Sequence, residues 1–119
     1  MALKDELGRW GENVAGDFLI ANGYDVLDRG WRCPLGEIDI IARIDNTVSF
    51  VEVKTRRSLR YGHPLEAITP IKLTRLRTLA GEWCRAHRVH AGRVRIDAIG
   101  IVGNGTAVDS LDHRIGVFE

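Results

Sequence analysis

The residues best suited to chemistry lie in one stretch, GEIDIIARIDNTVSFVEVKTR, residues 36–56. Glu37, Asp39, Glu52 and Lys54 stand there among β-branched and aromatic residues. Strand side chains alternate between faces, and Asp45-Asn46 supplies a two-residue hairpin turn. With Ile40 opposite Val51 and Ile38 opposite Val53, an apolar face closes. On the other face Asp39 then lies across from Glu52, and Glu37 across from Lys54. Directly opposed residues have Cβ atoms about 4.5–5.5 Å apart. Two carboxylates that close repel by roughly 3 kcal/mol at an effective dielectric near 20. A divalent cation between them turns repulsion into coordination, because hard cations take carboxylate oxygens. Lys54 on the same face can hold a water or a phosphate oxygen. The set suits metal-assisted attack of water on a phosphodiester. The bland alternative is an exposed hairpin face with a Glu37–Lys54 pair and mutual screening of the acids. Ile41 and Phe50 on that face argue that it is partly covered.

Helices and further strands must position this hairpin. Residues 2–22 read as a helix, with Leu3, Leu7, Trp10, Val14, Phe18 and Ala21 on one stripe. Asn22-Gly23 stops it. Residues 24–31 read as a first strand, 37–44 and 48–55 as the second and third. Thr69-Pro70 opens a second helix, threonine as N-cap and proline in the first helical position. It runs to about His87 with Leu73, Leu76, Leu79, Ala80 and Trp83 inward. Residues 93–102 form a fourth strand and 110–118 a short last one. The order is helix, three strands, helix, one or two strands: an α/β or α+β mixed sheet flanked by helices. The first three strands form an antiparallel meander, given their short connections.

The chain has 119 residues, 45% hydrophobic and 28% charged, enough apolar material for one domain with a real core. It has no apolar run of 18 residues, hence no expected membrane span, and its first residues lack the apolar core of a secretory signal. Cys33 and Cys84 make no disulfide framework, so a reduced, cytoplasmic protein is expected. The net charge of +1 hides a strong asymmetry. Residues 1–53 carry −5, residues 54–95 carry +9 and residues 96–119 carry −3. A basic block beside an acidic one suits a polyanion next to a cation site. A solvated helix face with scattered charge is the other reading.

An acid on one strand followed by Glu52-Val53-Lys54 on the next resembles the PD-(D/E)xK nuclease motif. Ile38 stands where that motif has proline, so only Asp39 matches its first half. Gly11-Glu12, Gly23-Tyr24, Gly36-Glu37-Ile38-Asp39, Phe50-Val51-Glu52-Val53-Lys54 with Arg56, Lys72, and Arg95-Ile96-Asp97 resemble the YraN-like bacterial proteins. These are similar to archaeal Holliday-junction resolvases, and the resemblance runs from about residue 8 to 102. It implies a restriction-endonuclease-like fold, Mg2+ or Mn2+, and a nucleic-acid substrate, DNA ahead of RNA. Carried over, Asp39 and Glu52 are metal ligands with the Val53 carbonyl completing the set. Lys54 orients water or stabilises developing charge. Glu12 matches a first-helix acid of resolvase-like relatives, and its helical position beside Gly8, Ala15 and Leu19 lets it reach the sheet edge. Glu37 is a partner for Lys54 or an outer group. A junction resolver needs two sites, hence a homodimer.

Arg56, Arg57 and Arg60 follow the hairpin and suit bidentate phosphate contacts. Lys72 and Arg75, in the first turns of the second helix, extend the basic surface toward the site, or Lys72 snorkels outward. Tyr61-Gly62-His63-Pro64 reads as a loop near the site, able to flap over substrate. Cys84, His87 and His90 lie too far apart around a helix for zinc, and His87 reads as a satisfied core histidine. Arg95 and Asp97 read as an outward structural ion pair. The expected function is a metal-dependent nuclease on branched or single-stranded DNA. The competing readings are a catalytically silent nucleic-acid-binding protein on the same fold and a protein-interaction module.

Overall fold

The computed structural model describes residues 3–117. The elements are α1 (Leu3–Ala21), β1 (Asp25–Cys33), β2 (Gly36–Ile44), β3 (Thr47–Arg56), a 3-10 turn (Pro64–Ala67), α2 (Pro70–His87), β4 (Arg93–Gly103) and β5 (Val108–Arg114). The fold is α+β, in the order expected, around one five-stranded sheet. The expected helix start at residue 2 and strand end at residue 118 fall outside the described residues. The last strand is also displaced, beginning at Val108 and ending at Arg114.

The strands lie in sequence order, β1 to β5. Every neighbour is antiparallel except β3–β4, whose parallel ladder runs from Thr47↔Arg93 to Arg56↔Val102. Parallel neighbours need a crossover, and α2 supplies it. Thr69 caps α2 by accepting the Lys72 N–H at 3.2 Å, and Pro70 follows at the first helical position. Arg88 closes its other end in the left-handed region at φ 52°. Gly23, at φ 89°, ends α1 as Asn22-Gly23 foretold. Among the described residues no helix is long and apolar enough to cross a membrane.

The sheet carries a core on each face. On one, Ala15 and Leu19 of α1 meet Ile40, Val51, Ile99 and Ile101. On the other, Leu76, Leu79 and Trp83 of α2 meet Ile38, Ile41, Phe50 and Ile96. α2 presents the expected residues, though Leu73 is only half-buried. α1 is rotated from expectation. Gly11, Ala15 and Leu19 are its most buried line, Leu7, Trp10, Val14 and Phe18 flank it, and Ala21 is exposed. The cause is steric: a Cβ on Gly11 would sit 1.8 Å from Thr55 Oγ1, so only glycine lets α1 settle against β3 there. Gly11 and Ala15, together with Leu19, mark the contact line. That rotation carries Glu12 toward the sheet.

Candidate active site at the break between β2 and β3

The β2–β3 ladder has the expected register from Ile44↔Thr47 to Ile40↔Val51, and it stops there. Beyond Ile40 the Val53 N–H bonds the Asp39 carboxylate at 2.8 Å instead of a strand carbonyl. β2 changes face at the same point. Ile40 and Ala42 join the α1-side core, whereas Ile38 joins the α2-side core with Ile41. Strict alternation puts Ile38 with Ile40 and opposite Val53, but the structure places Ile38 on the other face of the sheet from Ile40 and Val53. On the far side of β2, Gly30 sits in the left-handed region at φ 59°, between the pairs Arg29↔Ile40 and Trp31↔Ile38. A left-handed residue tolerated by glycine lets β1 follow the turn in β2.

The break gathers acids. Glu12, Asp39, Glu52 and Lys54 line one cavity of about 840 Å³, with Arg9 and Arg32 at its rim. The Glu52 side chain is 16% exposed and that of Lys54 29%, with Lys54 Nζ 3.3 Å from Glu52 Oε1. Burial pushes the Asp39 carboxyl up to about 7, helped by the charges of Glu12 and Glu37 and opposed by the Val53 N–H. Burial also pushes Glu52 up to about 7, helped by the Asp39 charge and opposed by Lys54. Two half-buried carboxyls that resist ionisation in one cavity mark a candidate functional site. The donors are hard oxygens, the chemistry a divalent ion of the magnesium type selects. Among the described residues no three His, Cys, Asp or Glu side chains close into a ready-made metal cage. Two carboxylates with the rest of the shell left to water match how magnesium is commonly held.

These features meet a known group. The family described as "Uncharacterised protein family UPF0102" matches residues 11–101, a span containing all four groups of the cavity named above. The chain belongs to the UPF0102 family. A UPF0102 protein of Leifsonia xyli is 54% identical over 98% of this chain and 99% of its own length. One from Paenarthrobacter aurescens is 50% identical over 98% and 97%, and one from Beutenbergia cavernae 49% over 98% and 99%.

The other expected residues of this UPF0102 protein divide into two groups. Lys72 and Arg75 line a smaller volume of about 230 Å³ that also includes Glu52 and Lys54, on the α2 side of the break. Lys72 is solvent-exposed, yet it borders the site. Arg56, Arg57 and Arg60 border neither volume. Arg56 Nη1 donates to the Tyr61 carbonyl at 2.7 Å and Arg57 Nη1 to the Asn104 carbonyl at 3.2 Å. The Arg60 guanidinium lies over the Tyr61 ring. The loop expected as a flap is thus tied to β3, and the 3-10 turn continues it against β4, where Leu65 and His63 sit above Gly100.

Glu37 does not pair with Lys54. It bonds Arg32 across the β1–β2 hairpin at 2.9 Å. Ending β1 at Trp31 hid that pair, since Arg32↔Glu37 lies one residue further along the strand, which runs to Cys33. Arg95 and Asp97 do pair, but inward: Asp97 is fully buried and Arg95 nearly so. Tyr24, His113 and the Gly116 N–H complete the network. It is reached from residues far apart in sequence, which no local spacing reveals. His87 stacks on Trp83 and lies 3.8 Å from Asp28, satisfied yet 38% exposed rather than core.

Proposed function

We propose that this protein is a metal-dependent nuclease that hydrolyses phosphodiester bonds in DNA, on a restriction-endonuclease-like core. One observation supports it above the rest. Asp39 and Glu52 are half-buried and share one cavity at a break in the sheet, with Lys54 beside them and Glu12 reaching in. Asp39 and Glu52 would hold Mg2+ or Mn2+, with the Val53 carbonyl as a further donor. Such an ion supplies an activated water and neutralises phosphate charge when bound. Lys54 gives an ammonium donor to a phosphate oxygen, where negative charge grows in the transition state. Glu12 can accept a proton or orient water from the opposite wall. Arg9 and Arg32 on one side, and Lys72 and Arg75 on the other, place positive charge along both approaches for the polyanion backbone.

The test is cleavage of single-stranded, duplex and branched DNA, and of RNA, with magnesium or manganese. Asp39→Ala and Glu52→Ala are expected to abolish it. Salt-sensitive binding that survives loss of both acids, with no cleavage of any form, would instead favour a silent nucleic-acid-binding protein. An absence of affinity for nucleic acid even at low salt would favour a protein-interaction module.

A further inference from the structure

Beside the site lies a groove that the chemistry above leaves unused. It runs between the β1–β2 turn and the first turns of α2, encloses about 470 Å³ and is lined by Leu35, Pro70, Ile71, Thr74, Arg75 and Thr78. Leu35 is 55% exposed and Ile71 73%, both large apolar side chains facing water. The two threonine hydroxyls donate to the carbonyls of Pro70 and Thr74, so their protons are spent within the helix. Among the described residues Arg75 is the groove's only charged group, and it also lines the volume shared with Glu52, Lys54 and Lys72. Its stem packs over Gly36, bridging the turn and the helix. The groove and the acidic site therefore form one continuous surface, with two cations at their junction.

Along a nucleic-acid strand each phosphate joins two sugars, and each sugar carries a base. A base has apolar faces, stacks on guanidinium planes and prefers a platform to water. In a duplex those faces are already stacked. We infer that the groove takes an unpaired nucleobase of the strand whose phosphodiester sits at Asp39 and Glu52. The preferred substrate is then single-stranded or locally unpaired nucleic acid. This rests on the nuclease reading for the position of the phosphate. Continuity with the site and the cations between them favour a base, whose own strand carries phosphates, over an apolar protein segment, which would gain nothing from Lys72 and Arg75.

The test uses the full chain and neutral substitutions at exposed positions, Leu35→Asn and Ile71→Asn, with Ile20→Asn on α1 as a remote control. Binding of a labelled short single strand, the matching duplex, and a single strand with successive abasic positions is followed by fluorescence anisotropy at fixed salt. Each groove variant is expected to bind the single strand about tenfold more weakly, with duplex affinity unchanged. The abasic strand should bind weakly to wild type and be indifferent to the substitutions. Equal losses on both forms, an unaffected single strand, or no binding of any nucleic acid would overturn the inference. Manganese-dependent cleavage, scored in parallel, separates the two claims. Base-dependent binding without cleavage would sink the nuclease and leave the groove. Cleavage lost in Asp39→Ala but untouched by the groove variants would do the reverse.

Discussion

Asp39→Asn should stabilise the metal-free protein while removing its use for the ion. The substitution keeps a side-chain oxygen to accept the Val53 N–H, so the strand break persists. It removes a carboxyl whose proton is held until about pH 7, against an ordinary value of 3.8. The unfolded chain releases that proton near pH 4, and the folded chain keeps it to about 7. Over this interval the native state binds more protons, so stability falls as pH rises and the deficit is complete above about 7. Three units correspond to about 4 kcal/mol as an upper bound. Glu52 shares the field, and water reaches the cavity, so a net gain of roughly 1–3 kcal/mol is expected at pH 8. In a domain of this size that raises the melting temperature by about 5–10 °C. The assay is urea and thermal unfolding in EDTA at pH 5 and pH 8. The gain should appear at pH 8 and vanish at pH 5. Manganese should stabilise the wild type by mass action and leave the variant unchanged. A variant less stable than wild type at pH 8, or a gain equal at both pH values, would show that burial does not hold the Asp39 carboxyl protonated.

Two further outcomes follow from packing and buried charge. Gly11→Ala should destabilise by roughly 1–3 kcal/mol despite the better helix propensity of alanine, because the new methyl meets Thr55 and α1 must lift. In a urea-denaturation cycle, Thr55→Ala should recover part of that loss, and additive effects would deny the contact. Asp97→Ala should cost about 3–5 kcal/mol, because it strands Arg95 and His113 in the interior. Burial pushes the Asp97 carboxyl up, but hydrogen bonds from His113, Arg95 and the Gly116 N–H outweigh it and hold it at about 2. Its contribution is therefore full above about pH 4 and lost as pH falls through 2, which acid unfolding of wild type and variant would check.

The elements were legible because their signals are local. Thr69-Pro70, Asn22-Gly23 and Asp45-Asn46 each act over a few residues, and the structure puts a helix start, a helix stop and a hairpin turn there. The acids at Asp39 and Glu52 stood out because a strand pattern otherwise apolar was interrupted twice at matching positions. What escaped depended on partners distant in sequence. α1 faces the sheet through Gly11 because Thr55 lies across from it, a fact held in β3. Asp97 is buried because Arg95, itself held by the Tyr24 hydroxyl, and His113 converge on it. Arg57 turned away because Asn104, in another turn, offers it a carbonyl.

The misplaced face of Ile38 bears most directly on function. Regular pleating brings opposed side chains together, but alternate residue pairs along a regular antiparallel ladder also exchange backbone hydrogen bonds. A carboxylate in such a ladder is an ornament on one face. At Asp39 the ladder stops and the carboxylate itself takes a strand N–H, so the acid lies between the strands rather than above them. That position is what lets an acid from α1 and one from β3 share a cavity with it. Gly30 in β1 and Gly11 in α1 remove the side chains that would resist the kink and the close helix. Both glycines and the lost ladder pairs weaken the fold locally. A sequence selected for stability alone would restore the pairing and neutralise the acids. The concentration of these costs at one point is the physical argument that the point is a site.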